Sequence, residues 1–256
     1  MDLEKFHTDI SYRHECYANR EYPDFEIEGN KIEPSKDQLK IVVPTLGREE
    51  KQKVIYQFPE DLRERLYLAT REDHVDLLRK HNPGFNIISL PQDTYGIAQT
   101  RQRCLEAIDS DKIWMLDDIV KLQKKNEEYR VIGKASPEEV RELYDLIDYL
   151  LDFHVQVGVS QRPGNDKYTV WKRDNTRSYT CYGLRKDYLN KLGIRFTGMY
   201  EKDPEIIFFE DFYLTLSLLT KGYSNTLIWD YICDHHHNRP GGNSLVRTPD
   251  KYEKGY

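Results

Sequence analysis

No apolar run in the 256-residue chain approaches the ~20 residues that a membrane-spanning helix needs. The opening Met1-Asp2-Leu3-Glu4-Lys5 lacks a signal-peptide pattern, so the expectation is a soluble, cytoplasmic protein. Cysteine is scarce: Cys16, Cys104, Cys181 and Cys233 stand far apart, with no C-x-x-C pair. That spacing excludes a disulfide framework and a cysteine zinc site, and leaves buried thiols. Excess positive charge is also missing. With 38 Lys and Arg against 44 Asp and Glu, the net charge is -6. Bulk attraction to nucleic acid is therefore absent, and only a local basic patch would support it. There is no internal repeat and no low-complexity tract. What remains is 38% hydrophobic and 32% charged, enough for a buried core with a well-solvated surface. The length fits one large domain, or a domain with an appendage.

Residues 1–37 are polar and aromatic without a clear period, and read as an irregular extension packed on the body. Regular structure begins at 39–46, a β-branched strand closed by Pro44. A helix over 49–57, a strand over 66–70 and a helix over 73–80 follow, the last stopped by Asn82-Pro83-Gly84. Then come a strand at 86–90, a loop with Gly96, a helix over 97–108 and a strand at 112–116. This alternation predicts an α/β fold with a mostly parallel central sheet flanked by helices. Ser136 as N-cap and Pro137 at the first helical position open a helix to about residue 153. Strands are expected at 155–160, 168–172, 180–184 and 226–233, with helices at 185–192 and 211–220. The domain is expected over 38–240, and 241–256 as a flexible basic tail.

The chain is organised around 112–119. Ile113, Trp114, Met115 and Leu116 in series suit a strand buried on both faces, and it ends in Asp117-Asp118. In an open α/β sheet, the C-terminal ends of the strands are where ligands bind. Adjacent carboxylates at that edge repel each other unless a cation joins them, and hard divalent ions such as Mg²⁺ or Mn²⁺ take such ligands. The alternative is a strand cap that starts a solvated turn.

The order of these features resembles the GT-A glycosyltransferases. The resemblance rests on the Val-Val-Pro-Thr strand, Gly96-x-x-x-x-Arg101, the apolar strand ending in Asp-Asp, a late Glu210-Asp211 and the histidines at 235–237. Within that group the chain is similar to the small phage-type enzymes that glycosylate hydroxymethylated pyrimidines in DNA. Its size, the Pro44-Thr45-x-Gly47-Arg48 opening and the compact His-rich end carry this part. The resemblance implies a GT-A-like, Rossmann-like fold, a UDP-sugar donor, Mn²⁺ or Mg²⁺, and a DNA acceptor. For a viral protein, the place of action would be the host cytoplasm.

It also implies site residues. Asp118 would ligate the metal, and Asp117 would bond the ribose. Ile119 stands where a third Asp is usual, which turns attention to His235 or His237 as a further ligand. Arg101 would reach the diphosphate or ribose, since guanidinium binds phosphate bidentately. Thr45 and Arg48 would line the nucleobase pocket, Gly96 would shape the loop before the helix, and Arg247 in the tail would fold over the diphosphate. Asp211, at a helix start, would take the acceptor proton, with Glu210 as the other candidate. Trp171, Arg173, Arg177 and Tyr179 form a basic-aromatic stretch suited to a nucleic-acid acceptor. A second basic stretch, Lys121, Lys124, Lys125 and Arg130, follows the acidic corner.

Competing readings keep the fold and change the chemistry. The acceptor is a glycan or protein hydroxyl, or the chain is a catalytically inactive nucleotide-binding module. A nucleotidyltransferase is disfavoured because no Gly-rich phosphate loop follows the first strand. A non-heme iron site on His235 and His237 is disfavoured by the parallel α/β order.

Overall fold

A computed structural model describes residues 1–131, 133–161, 167–199, 201 and 209–235. The β-branched run Ile41-Val42-Val43 forms the centre of β1 (Lys40–Pro44), joined by β2 (Leu66–Arg71), β3 (Asn86–Leu90) and β4 (Lys112–Leu116). These four pair in parallel. The later strands are β5 (Val120–Lys124), β6 (Gln156–Ser160), β7 (Lys172–Asp174), β8 (Cys181–Arg185) and β9 (Asn225–His235). The sheet runs β3-β2-β1-β4-β8-β6-β9-β5, with β7 paired to β9. β8 is antiparallel to both neighbours, while β6 and β9 return to the direction of β4. β5 and β7 are antiparallel to β9, so six of the nine strands share one direction. The expected mostly parallel α/β sheet is what the chain forms.

The helices are α1 (Leu3–Thr8), α2 (Ile10–Ala18), α3 (Val75–His81), α4 (Gly96–Ala107), α5 (Pro137–Leu150), α6 (Lys186–Lys191) and α7 (Glu210–Thr220). β4 shows how they are layered. All five of its residues are buried. Trp114 and Leu116 point to one core with Phe58, Leu143, Tyr144 and Ile147. Ile113 and Met115 point to the other, with Cys104, Leu105, Leu214 and Leu218. The strand's period of two thus places α5 on one face and α4 and α7 on the other. α5 begins with the expected Ser136 cap, completed as a capping box by Glu139, with Pro137 in the first turn. Gly183 on β8 lets α5 approach, because a Cβ there would stand 2.7 Å from Ile147 Cγ2.

Several expectations are corrected. The first 37 residues are not irregular throughout: Asp2 and Asp9 cap α1 and α2 with their side chains. Their sparse apolar pattern hid them. Residues 49–57 are not a full helix; only Val54–Gln57 makes a 3-10 turn. There the Glu49 and Gln52 side chains turn inward and bond loop groups at Gly47, Thr45 and Arg48. The basic stretch after the acidic corner contains β5. Lys124 pairs with Glu142, and Lys125, buried, donates to the Tyr168 carbonyl at 2.6 Å. The strand expected at 168–172 lies slightly later, as β7.

The N-terminal helices are tied down by a buried ion pair. Arg13 Nε and Nη2 donate to Asp230 Oδ2 and Oδ1 at 2.7 and 3.0 Å, and Tyr17 OH donates to Asp230 Oδ2 at 2.9 Å. Burial works against the charge on Arg13, but Asp230 outweighs it and holds the guanidinium pKa above its ordinary value. Removing one partner strands a charge in the core. Asp230→Ala is expected to cost about 3–5 kcal/mol in urea unfolding, whereas the Arg13→Met, Asp230→Leu double variant recovers much of that loss. A single variant as stable as the parent would show the pair to be dispensable.

Candidate active site

The C-terminal ends of β1, β4, β6 and β9 lie at one edge of the sheet, as does the start of antiparallel β8. Asp117 and Asp118 leave β4 there, and they diverge. The Asp118 carboxylate turns toward β1. Its Oδ1 accepts from Arg48 Nη1 at 2.7 Å, and its Oδ2 accepts from Thr45 Oγ1 at 3.0 Å. Gln52 Nε2 donates to the same Thr45 hydroxyl at 2.7 Å, which fixes it. Burial pushes the Asp118 carboxyl up, and Arg48 opposes that shift. Thr45, Arg48 and Asp118, chosen separately from the sequence, are therefore one cluster.

Asp117 turns the other way. Its Oδ1 accepts from Arg101 Nη2 at 2.8 Å, and its side chain keeps 22% exposure. Arg101 is carried on α4, whose first residue Gly96 has φ +71°, a conformation that favours glycine. The Arg101 side chain is only 4% exposed, lies over the Tyr182 ring at 5.5 Å, and donates through Nη1 to Glu210 Oε1. One buried guanidinium thus bridges the end of β4 and the start of α7. Its Nε finds no acceptor among the described residues.

Glu210 and Asp211 occupy the first turn of α7, preceded by Phe209 in the left-handed region at φ +69°. Burial pushes the Glu210 carboxyl up to about 7, with Arg101 opposing. Asp211 is also raised by burial, against the pull of Arg101 and Arg177. The Arg177 guanidinium carbon stands 3.6 Å from the Phe212 ring centroid and 4.1 Å from that of Tyr179. Arg177 and Tyr179 thereby join the site edge beside Asp211.

Two of the expected acceptor residues do not join them. Trp171 is a core residue, 4% exposed, edge-on to Phe6 at 5.3 Å and to Phe25 at 6.1 Å, so its ring has no face for a base. Arg173 is exposed but pairs in register with Leu227, well back along β9 from the acidic edge. His235 closes β9 and pairs with Val120, two residues after Asp118. His237 and Arg247 lie outside the described residues. Among the described residues, no three His, Cys, Asp or Glu side chains converge as a metal cage.

Sequence reasoning missed three contributors. Glu49 is buried, accepts from the Gly47 backbone at 3.0 Å and pairs with His74 Nδ1 at 2.7 Å, beyond the ends of β1 and β2. Its only signal was an acid directly after the Gly47-Arg48 turn. Tyr182 gave none beyond its strand pattern. Thr180, whose carbonyl accepts the Asp117 backbone N–H at 2.9 Å, gave none beyond its place in the expected strand at 180–184.

A sequence profile described as TET-Associated Glycosyltransferase matches residues 39–242. Two curated relatives, each called beta-glucosyl-HMC-alpha-glucosyl-transferase, come from Enterobacteria phages T2 and T6. Each is 24% identical to the chain, over 84% of it and 78% of its own length. Among solved structures, the mannosyltransferase PcManGT from Pyrobaculum calidifontis, in complex with GDP-Man and Mn²⁺, aligns with a TM-score of 0.52 at 13% identity. That alignment covers 92% of this chain and 66% of PcManGT. S. aureus TarS 1-349 in complex with UDP gives 0.50 at 13% identity, over 85% of this chain and 63% of TarS 1-349. The chain therefore spans just under two thirds of either structure, and at such identity the likeness is one of fold. No helix among the described residues is long and apolar enough to cross a membrane. Because the family match runs from β1 past the end of β9, the chain belongs to the TET-associated glycosyltransferases, as a phage-type enzyme of the GT-A fold.

Proposed function

We propose that the chain moves a sugar from a UDP-sugar to a hydroxyl on a 5-hydroxymethylated pyrimidine in DNA, with a divalent metal at the acidic edge. The observation that carries this reading is the Arg101 bridge. It joins the strand-end acids, where a donor diphosphate would bind, to the first turn of α7, where an acceptor hydroxyl would lose its proton. The phage relatives' name describes transfer onto a β-glucosyl-HMC acceptor, which supports a modified pyrimidine as substrate.

The geometry supports the following roles. Thr45 and Arg48 hold Asp118 in place beside the nucleotide pocket. Asp117 and Asp118 supply hard oxygen donors of the kind Mn²⁺ or Mg²⁺ takes, and these two would hold the ion. A bound metal would offset the charge of the departing diphosphate. Arg101, with Asp117 and Glu210 as counter-charges, orients the two halves of the site. Asp211 takes the acceptor proton as the new bond to the sugar forms and the bond to the diphosphate breaks. Burial has raised its pKa, which makes it a stronger base once ionised. Arg177 and Tyr179 receive the acceptor strand, the first by charge and the second by its ring.

The direct test offers UDP-sugars and Mn²⁺ to unmodified, hydroxymethylated and glucosyl-hydroxymethylated DNA. Transfer to modified DNA alone is expected; transfer to none of the three would redirect the acceptor to a glycan or protein hydroxyl. Asp211→Asn is expected to slow transfer by roughly 10²–10⁴-fold while a UDP and Mn²⁺ thermal shift persists. Unchanged turnover would move the base elsewhere.

A pH dependence also follows from Glu210. A carboxyl whose folded-state pKa is raised binds its proton more tightly in the folded chain. Its stabilising contribution is full below the ordinary Glu value and falls away as pH rises toward about 7. The charged Arg101–Glu210 pair forms over that same window, so donor transfer is expected to rise as stability declines. Urea midpoints and turnover measured from about pH 5 to pH 8 check this, and Glu210→Gln should flatten both trends.

A further inference from the structure

Thr180 stands at the start of β8 with φ +62°, a region that a β-branched residue rarely enters. Its neighbours close around it: the Cys181 N–H donates to the Tyr179 carbonyl at 2.7 Å. That is a γ-turn of the rare, strained, positive-φ hand, centred on a threonine. Backbone strain of this kind persists only where the surroundings over-determine it. Here the surroundings are three strand ends. The Thr180 carbonyl accepts the Asp117 N–H at 2.9 Å, at the end of β4. The Thr180 hydroxyl accepts from Gln161 Nε2 at 2.7 Å, just past β6, and lies 3.6 Å from Cys233 Sγ on β9. It also donates to the Tyr179 carbonyl at 2.7 Å, which tightens the turn from within.

We propose that Thr180 is a positioning residue for sugar transfer. Its strained turn fixes the backbone of Asp117 against β6 and β9, and so sets where the acidic corner stands. The same turn delivers Tyr179, and Arg177 before it, to the mouth of the site. The inference rests on the reading of Asp117-Asp118 as the donor-diphosphate corner. Without the Thr180 hydroxyl bonds that hold it, the strained turn would relax and the Asp117 carboxylate would lose its fixed relation to Arg101.

Two variants separate this role from plain structural support. Thr180→Gly accepts the positive φ without a Cβ but frees the turn and removes the hydroxyl. Thr180→Ser keeps both the Cβ and the hydroxyl. Binding of UDP with Mn²⁺, followed by calorimetry, and the melting temperature without ligand are measured for both variants and the parent. Thr180→Gly is expected to melt within a few degrees of the parent yet bind UDP about tenfold more weakly, the scale of losing a group that orients a ligand-binding residue. Thr180→Ser is expected to bind like the parent. UDP binding by Thr180→Gly at parental strength overturns the proposal, as does a loss of binding matched by a collapse in melting temperature. A parent chain that binds no UDP would instead overturn the donor reading itself.

Discussion

A single buried guanidinium sets the terms for the rest of the molecule. Arg101 is almost fully removed from water, and its charge is tolerated only because Asp117 and Glu210 reach it from opposite sides. The three groups come from three elements: α4, the end of β4 and the start of α7. Charge compensation in a dry place therefore dictates how those elements meet, more strictly than apolar packing would. A hydrophobic contact tolerates a small slide, whereas a hydrogen-bonded ion pair does not. Tyr182 beneath the guanidinium adds an aromatic floor.

The topology explains why these charges assemble at one edge. Parallel strands end together, so β1, β2 and β4 bring their C-terminal residues side by side. The antiparallel β8 inserts its beginning, rather than its end, at the same edge. The connection into β8 therefore brings Arg177, Tyr179 and Thr180 to the acidic corner, where a parallel strand would have presented its far end. Opposite requirements meet there. Asp118 accepts from Thr45 and Arg48 on the β1 side, while Asp117 accepts from Arg101 and keeps 22% exposure. Two adjacent carboxylates with equal claims in the sequence have different work in the fold.

Much of the sheet was legible because its signals are local. The strands at 86–90 and 112–116 fall at the expected bounds, and the Ser136-Pro137 start of α5 is a cap whose chemistry is written within four residues. The acidic pair and the Gly96-x-x-x-x-Arg101 spacing named residues that the structure brings together at one edge. What stayed hidden was long-range. Nothing near Arg101 announces that its second counter-ion is Glu210, 109 residues on. Trp171 looked like a stacking platform beside basic residues. Its ring is instead claimed by Phe6 and Phe25 of an N-terminal segment whose own helices were not visible in the pattern. Lys124 and Lys125 carry charges to the end of β5 and just past it because Glu142 and a backbone carbonyl await them, and composition alone reads such residues as solvated.

The Arg13–Asp230 pair has a bearing on how the chain reaches this state. Its partners are 217 residues apart. A chain made from its N-terminus releases Arg13 early and Asp230 only when nearly all of the sheet has been synthesised. Until then α1 and α2 have no counter-charge to dock against, and Phe6 and Tyr17 have no completed surface to cover. Residues made early are thus among the last to find their place, and closure of the core over β9 is a late step.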